Sequence, residues 1–404
     1  MKAKKSVLYI TTDGLTDPLG QSQILPYLQG LSKEYRIHIL SCEKPEVYLQ
    51  RAVVIQERVD KAGIQWHTVN FRNSPPVLGS WLMQRELRKK AKAIIKDNNI
   101  SMLHCRSYPA GMIGMALGHK YDLPWLFDMR GFWPDERKDR HIWDLKNPLF
   151  LMVYKWFKHK EKQLFASASH IISLTWKAKE ILIMSFGVIE DKISVIPCAS
   201  DSGHFYKRNA NTALKASLGF QPEHKILAYS GSLGSCYLLD EMLMFFKAGL
   251  NINPRLRMVF LSPKTYHEMV MERAAQLGLK PELVKCAFFS REEMPEALSI
   301  VDYGVMFFEP SFSIQASSPT KHGEFLSMHI PVVTNAGVGD MERILAEKPT
   351  GVIVHDFSEK EMLKAWQALV ENNYLSEDFD DQAKKWYDLE RGIDKYSDIY
   401  KLNV

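Results

Sequence analysis

The sequence has few cysteines and no CxxC pair. The five, at 42, 105, 198, 236 and 286, are scattered and odd in number, which excludes a disulfide framework and a zinc site built on paired thiols. Four of them lie in or beside apolar runs, where a thiol is expected to be buried. No run of eighteen apolar residues occurs, so no transmembrane helix is expected. The opening MKAKKSVLYI is basic, but its apolar run is short and reads as a first strand, not a signal peptide. These absences lead to the expectation of a cytoplasmic protein. Charge of one sign is scarce too: the net charge is +5, which does not indicate nucleic acid but suits anionic ligands or an acidic membrane surface. No GxGxxG follows a strand, which argues against an NAD-dependent oxidoreductase. No Asp-x-Asp pair of the kind a metal-bridged diphosphate wants stands at a strand end, since Asp380-Asp381 falls in a polar tail. Neither a metal nor a cofactor is expected.

What is present is a regular alternation. With 404 residues, 46% hydrophobic and 25% charged, the chain has material for two globular domains. Short apolar runs at 7–10, 37–40, 64–69, 102–106, 125–130 and 170–174 read as strands. Helical patterns near 51–62, 80–97, 109–119 and 149–167 lie between them. A run at 193–197 leads into the polar CASDSGHFYKRNANTALK, which is the expected domain boundary. A second series follows, with strands at 225–230, 257–262, 286–290, 303–308, 331–335 and 351–354. Strands alternating with helices imply two mostly parallel, doubly wound α/β sheets. The expected domains are 1–200 and 201–374, with 375–404 returning to the first. In that tail Trp386, Tyr387, Ile393, Tyr396, Ile399 and Tyr400 form a sticky face, and Gly392 is expected to bend or break the helix.

In such sheets ligands bind beyond the carboxyl ends of the strands, so the loops there matter most. EPSFSIQASSPTKHGEFLSMHIPVVTN (309–335) contains a helix start. Ser318 reads as its N-cap and Pro319 as its first residue, with the helix running to about Met328. A helix N-terminus with Lys321 in its first turn offers a site for phosphate, and Glu324, at i+3, a carboxylate for ribose hydroxyls. The plainer reading is a capped helix carrying a surface ion pair. TTDGLTDPLGQ (11–21) places Gly20 where a backbone either approaches a ligand or simply turns. DMRGFWPDERKD (128–139) places Arg130 at a strand end to grip a phosphate, with Asp128, Asp135 and Glu136 to orient sugar hydroxyls; alternatively Arg130 pairs with Asp128 or Asp135 in a structural network. Gly231-Ser232-Leu233-Gly234 repeats the small-residue loop before a helix. In LFLMVYKWFKHKEKQLF (149–165), Lys155, Lys158, Lys160 and Lys162 outweigh Glu161. This is either a helix that lies on an anionic membrane or an ordinary one with a solvated lysine face.

Taken together, DGLTDPLGQSQILPYL (13–28), DMRGFWPDE (128–136), ISLTWKAKE (172–180), VIPCASD (195–201), YSGSLG (229–234) and SPTKHGEFLSMHIPVV (318–333) resemble the retaining group 1 (family 4) glycosyltransferases of GT-B fold. The motifs span nearly the whole chain in the expected order. The resemblance implies two facing Rossmann-like domains with a C-terminal helix crossing back to the first. It also implies a nucleoside-diphosphate sugar held by the C-terminal half and a saccharide or lipid-linked acceptor held by the N-terminal half. Glu324 matches the second glutamate of the family's E-x7-E element; the first falls at Ala316, a departure for which Ser317, Ser318 or Lys321 is the candidate substitute. Ser232 stands where many relatives carry an arginine near the diphosphate. Lys321 and Arg130 are candidates to replace that charge. Gly20 matches the glycine that lets the first loop approach the donor, and Arg130 lies near the position where some relatives place a histidine.

The expected reaction is metal-independent sugar transfer from a nucleoside diphosphate to a hydroxyl with retention, in surface polysaccharide or glycolipid biosynthesis. Arg130, Lys321 and Asp128 are the expected catalytic groups, and Gly20, Gly231, Ser232, Ser318, Lys321 and Glu324 the donor-binding groups. Alternatives are an epimerase or inverting transferase of the same fold, or a non-catalytic nucleotide-sugar-binding protein. Peripheral contact with the inner face of a membrane is compatible with the basic helix.

Overall fold

The structure, a computed structural model, describes residues 4–75, 77–234 and 236–403. The chain divides into two compact units. The first holds the residues up to Pro197 and those from Leu389 onward; the second is Cys198–Asp388.

The first unit is built on β1 (Ser6–Ile10), β2 (Arg36–Glu43), β3 (Gln65–Asn70), β4 (Ile100–Arg106), β5 (Trp125–Asp128), β6 (His170–Ser173) and β7 (Ile193–Val195). They pair in the order β3-β2-β1-β4-β5-β6-β7, every pairing parallel. The strand order reverses between β1 and β4, so a crevice opens there at the carboxyl edge. Register sets Arg106, the last residue of β4, beside Asp128, the last of β5.

The second unit carries β8 (Lys225–Ser230), β9 (Leu256–Leu261), β10 (Val284–Ala287), β11 (Tyr303–Met306), β12 (Val332–Asn335) and β13 (Gly351–Val354), in the order β10-β9-β8-β11-β12-β13 and again parallel. Its reversal lies between β8 and β11. The strands are largely apolar because helices cover both faces of a parallel sheet. Trp366 shows how that cover is fixed. It is buried, stacks on Phe245 at 4.6 Å between centroids and donates its indole N–H to the Phe245 carbonyl at 2.6 Å. Truncation of such a side chain costs about 3–5 kcal/mol.

The C-terminal tail is not one element. The helix Ser376–Tyr387 packs on Thr320–Ser327 in the second unit, and the helix Leu389–Asn403 packs on Leu25–Leu31 in the first. The sequence placed all of 375–404 with the first domain, whereas the division falls at Asp388. Gly392 does not break its helix, which runs from Leu389 to Asn403. A Cβ at Gly392 would lie 2.7 Å from Tyr27 Cε1. The glycine serves close packing of helix on helix, not termination. No helix among the described residues is long and apolar enough to cross a membrane.

Candidate active site

In the second unit the chain leaves β8 through Gly231, whose φ of +103° is open to glycine at no cost. That turn clears the space into which Lys321 extends: a Cβ at Gly231 would lie 3.5 Å from Lys321 Nζ. Lys321 arrives from the other side of the β8/β11 reversal, on the first turn of the helix Thr320–Ser327. Its ammonium lies 4.1 and 4.0 Å from the ring centroids of Tyr229 and Tyr237. It also donates to the Tyr229 hydroxyl at 2.9 Å. That hydroxyl in turn donates to the carbonyl of Ser232 at 2.7 Å. Gly231, Ser232 and Lys321 are thus brought together as expected, by two tyrosines the sequence reading overlooked. Tyr229 was visible inside the YSGSLG motif, but nothing in its spacing announced an aromatic seat for a lysine.

Glu324 does not pair with Lys321 as a surface i, i+3 couple. Among the described residues its ion-pair partner is Arg291, with Nη1 3.8 Å from Glu324 Oε1. Arg291 also approaches Asp201 at 3.7 Å and packs over Phe205. Arg291, in the loop after β10, is a third residue of the candidate site that the sequence did not disclose. Burial pulls the Lys321 amine down to about 7, against weaker opposing attraction from Cys236 and Glu324. Burial likewise pushes the Glu324 carboxyl up to about 7, opposed by Arg291 and Lys321. A cation and a carboxylate one helical turn apart, both partly desolvated and poised near neutrality, form an arrangement that a charged ligand would complete.

Ser318 has a different role from the one expected. The helix begins at Thr320, Pro319 occupies the cap position, and no side chain caps the end. Ser318 Oγ instead accepts from the backbone N–H of Cys198 at 3.1 Å. A long-range partner has displaced the local cap, so Ser318 fixes the start of the unit beside the helix entrance. Ala316, at the departed glutamate position, is buried. His322, also buried, is held by the Tyr387 hydroxyl at 2.8 Å, which anchors the back of the same helix.

The first unit gathers charge at its own switch point. Asp128 is 1% exposed. It accepts from Tyr396 Oη at 3.1 Å and lies 3.7 Å from Arg106, 3.7 Å from His104 and 3.8 Å from Arg130. Burial pushes its carboxyl up, but Arg130, His104 and Arg106 outweigh that and hold it at about 2. Asp128 is therefore committed to protein partners and positions the arginines; it does not present itself to a substrate. The structural network anticipated for Arg130 exists. Arg130 also sits at φ +59°, where a side chain other than glycine's costs roughly 1–2 kcal/mol, a strain typical of residues aimed at a site. Asp135 is buried and takes hydrogen bonds from Tyr154 and Lys158, each at 2.8 Å, and Glu136 pairs with Arg140 at 3.0 Å. Neither is disposed toward a sugar.

Gly20 is explained by its own loop. A Cβ there would lie 2.1 Å from the Gly14 carbonyl oxygen, so the turn alone requires glycine. The loop is pinned from below by buried Glu43, which accepts from the N–H groups of Leu15 and Thr16 and from the hydroxyls of Thr16 and Ser41.

Two family models cover this architecture in tandem: Glycosyltransferase Family 4 over residues 25–203 and Glycosyl transferases group 1 over residues 210–386. The chain belongs to the group 1 glycosyltransferases. No curated protein matches this glycosyltransferase in sequence. Solved structures similar to it include Anabaena HepE in complex with UDP, with TM-score 0.70 at 12% identity, covering 98% of this chain and 99% of that one. Sucrose-phosphate synthase from Thermosynechococcus elongatus gives TM-score 0.70 at 13% identity over 99% of each chain. A UDP-N-acetylglucosamine 2-epimerase from Listeria monocytogenes, described as putative, gives 0.59 at 12% identity, over 99% of this chain and 96% of that one. At such identities the likeness is one of fold. The glycosyltransferase is thus a GT-B enzyme whose second unit carries the Lys321–Gly231 arrangement and whose first carries the Arg106–Asp128–Arg130 network.

Proposed function

We propose that this glycosyltransferase moves a sugar from a nucleoside-diphosphate sugar to a hydroxyl acceptor with retention of anomeric configuration. The observation that carries the reading is the seat of Lys321: a half-buried ammonium between two tyrosine rings at the mouth of an uncapped helix, over the glycine turn that ends β8. A diphosphate placed there receives one full charge and the positive end of a helix dipole. The Glu324 carboxylate, one turn on, accepts from ribose hydroxyls. Because HepE is solved with UDP and with UDP-glucose, a uridine donor is the first to test.

As the bond from the anomeric carbon to the diphosphate oxygen breaks, negative charge develops on the leaving phosphate. Lys321 is placed to stabilise that charge in a desolvated setting, where such a contact is strongest. The acceptor hydroxyl attacks the same face the diphosphate leaves, so the departing phosphate oxygen takes the hydroxyl proton. This front-face route calls on no carboxylate nucleophile, in keeping with Asp128 being locked among protein cations. The acceptor is a saccharide or lipid-linked saccharide, consistent with surface polysaccharide or glycolipid assembly.

A thermal-shift screen of nucleotides and nucleotide sugars is the direct test, followed by NMR of the product anomer. Stabilisation by UDP or a UDP-sugar and an axial-to-axial or equatorial-to-equatorial outcome are expected. Inversion, or interconversion of free nucleotide sugars without an acceptor, refutes the reading. In the purified Lys321→Ala variant, turnover should fall roughly 10²–10³-fold. Near-normal turnover removes Lys321 from the chemistry.

A further inference from the structure

We infer that the outer face of the helix Pro148–Ser167 docks the protein onto an anionic phospholipid surface. The helix packs one side into the first unit through Leu164, Phe165 and Glu161. On the opposite side Leu149, Met152 and Trp156, spaced i, i+3, i+7, form one stripe. They are 45%, 63% and 46% exposed, a large apolar expanse to leave in water. Ile142, just before the helix, is 47% exposed and adds to it.

The charges around the stripe decide what covers it. Lys155, His159 and Lys162 are exposed on its flank, and Lys160 lies 5.9 Å from the Trp156 ring centroid on the other side. Lys146, also exposed, precedes the helix. The helix holds a single carboxylate, Glu161, and it faces inward, where Tyr108 donates to it at 2.6 Å and Lys158 pairs with it. Lys158 is thereby subtracted from the basic face that the sequence suggested. The exposed Asp144 lies before the helix, between Ile142 and Lys146; what remains of the helix itself is apolar in the middle and cationic at the margins, with no exposed carboxylate within Pro148–Ser167. That is the pattern of a helix lying in the plane of a membrane interface: its large apolar side chains enter the headgroup–acyl boundary while its lysines meet anionic headgroups. The segregation also argues against a protein partner, since protein interfaces deplete lysine.

The test is flotation of the full-length protein with vesicles of phosphatidylcholine alone and of phosphatidylcholine mixed with phosphatidylglycerol. Binding to the mixed vesicles, weak binding to neutral ones, and a fall with added salt are expected. Lys155→Gln and Lys162→Gln should each lower partitioning about fivefold. A Met152→Ser/Trp156→Ser double variant should abolish it. These side chains are exposed, so the variants should keep the thermal shift with UDP seen for the parent. That shift reports the donor reading separately. Absence of flotation, flotation unchanged in the double variant, or a parent dimer that the double variant dissociates would overturn the inference, the last by showing that a second copy covers the stripe.

Discussion

At the scale of single residues, the site turns on two groups that burial brings to the same region of pH. In the free enzyme the Lys321 amine titrates near 7, so above that pH it is increasingly neutral. A bound diphosphate raises its affinity for a proton, so donor binding above pH 7 must capture one. Affinity is then full below about pH 7 and falls by up to tenfold per unit above it. Glu324, also near 7, acts in the opposite sense. Ionised, it accepts from ribose hydroxyls, so binding below pH 7 releases a proton and weakens as the pH drops. Because the two groups interact, the limbs belong to the pair. Donor affinity measured by calorimetry from pH 5.5 to 9 should pass through a maximum near neutrality. Lys321→Met should flatten the alkaline limb and Glu324→Gln the acid one. A flat profile in the parent enzyme would show that these groups do not meet the donor. His322 supplies a second pH dependence, this one in stability. Burial holds its imidazole down at about 3, while an unfolded histidine titrates near 6.5. Between those values the unfolded chain binds the extra proton, so stability falls as pH drops from 6.5 toward 3. Thermal melts of a His322→Gln variant should show a shallower acid decline than the parent.

At the scale of elements, the helix Pro148–Ser167 shows how one segment carries both a structural and an exposed face. Lys158 bridges Asp135 and Glu161, two carboxylates with almost no access to water. Removing it in Lys158→Ala leaves them buried with only their tyrosine hydrogen bonds and no cation from Lys158, at a cost of roughly 3 kcal/mol. Lys155→Ala and Lys162→Ala should stay within about 0.5 kcal/mol of the parent. Urea denaturation separates the three, and equal effects would contradict this division of the lysines. The same helix marks the boundary of what its sequence discloses. Periodicity placed this helix correctly and the strands to within a few residues, because burial on both sides of a parallel sheet writes apolar runs into the chain; it missed the short helix Trp133–Asp139, which the sequence presents as a loop. Periodicity also showed that lysines were abundant; it did not say which of them finds a carboxylate 23 residues away. The candidate site divides the same way. Gly231, Ser232 and Lys321 were legible because a glycine turn and a helix start are local signals. Tyr229, Tyr237 and Arg291 were not, because their roles come from the β8/β11 reversal, which brings distant segments together. Gly392 and Ser318 were misread for a related reason. Each has a familiar local use, breaking or capping a helix, and each serves a long-range contact instead.

At the scale of the whole molecule, the two units use one architecture for different ends. Each places its charged groups where the strand order reverses. The first unit's groups are largely locked onto Asp128, and the second unit's are held apart in aromatic and arginine seats. Donor binding is therefore expected to be a property of Cys198–Asp388, while the integrity of the first unit depends on the last helix of the chain. That helix buries Ile393, Tyr396, Ile399 and Tyr400 in the first unit. Tyr396 and Tyr400 reach the charged network directly, Tyr396 donating to Asp128 and Tyr400 lying 2.7 Å from His104 Nδ1 through its hydroxyl. Deleting 389–404 should leave Asp128 and His104 short of partners and uncover the helix Leu25–Leu31. Hydrogen exchange read by mass spectrometry makes both halves of the argument measurable. In the intact protein, UDP should protect peptides around 229–234 and 318–327 and leave those around 7–10 and 102–106 unchanged. In the truncated protein the latter pair should exchange faster, while UDP still protects the former. Protection by UDP spread evenly through both units would mean that the donor is not the second unit's own ligand.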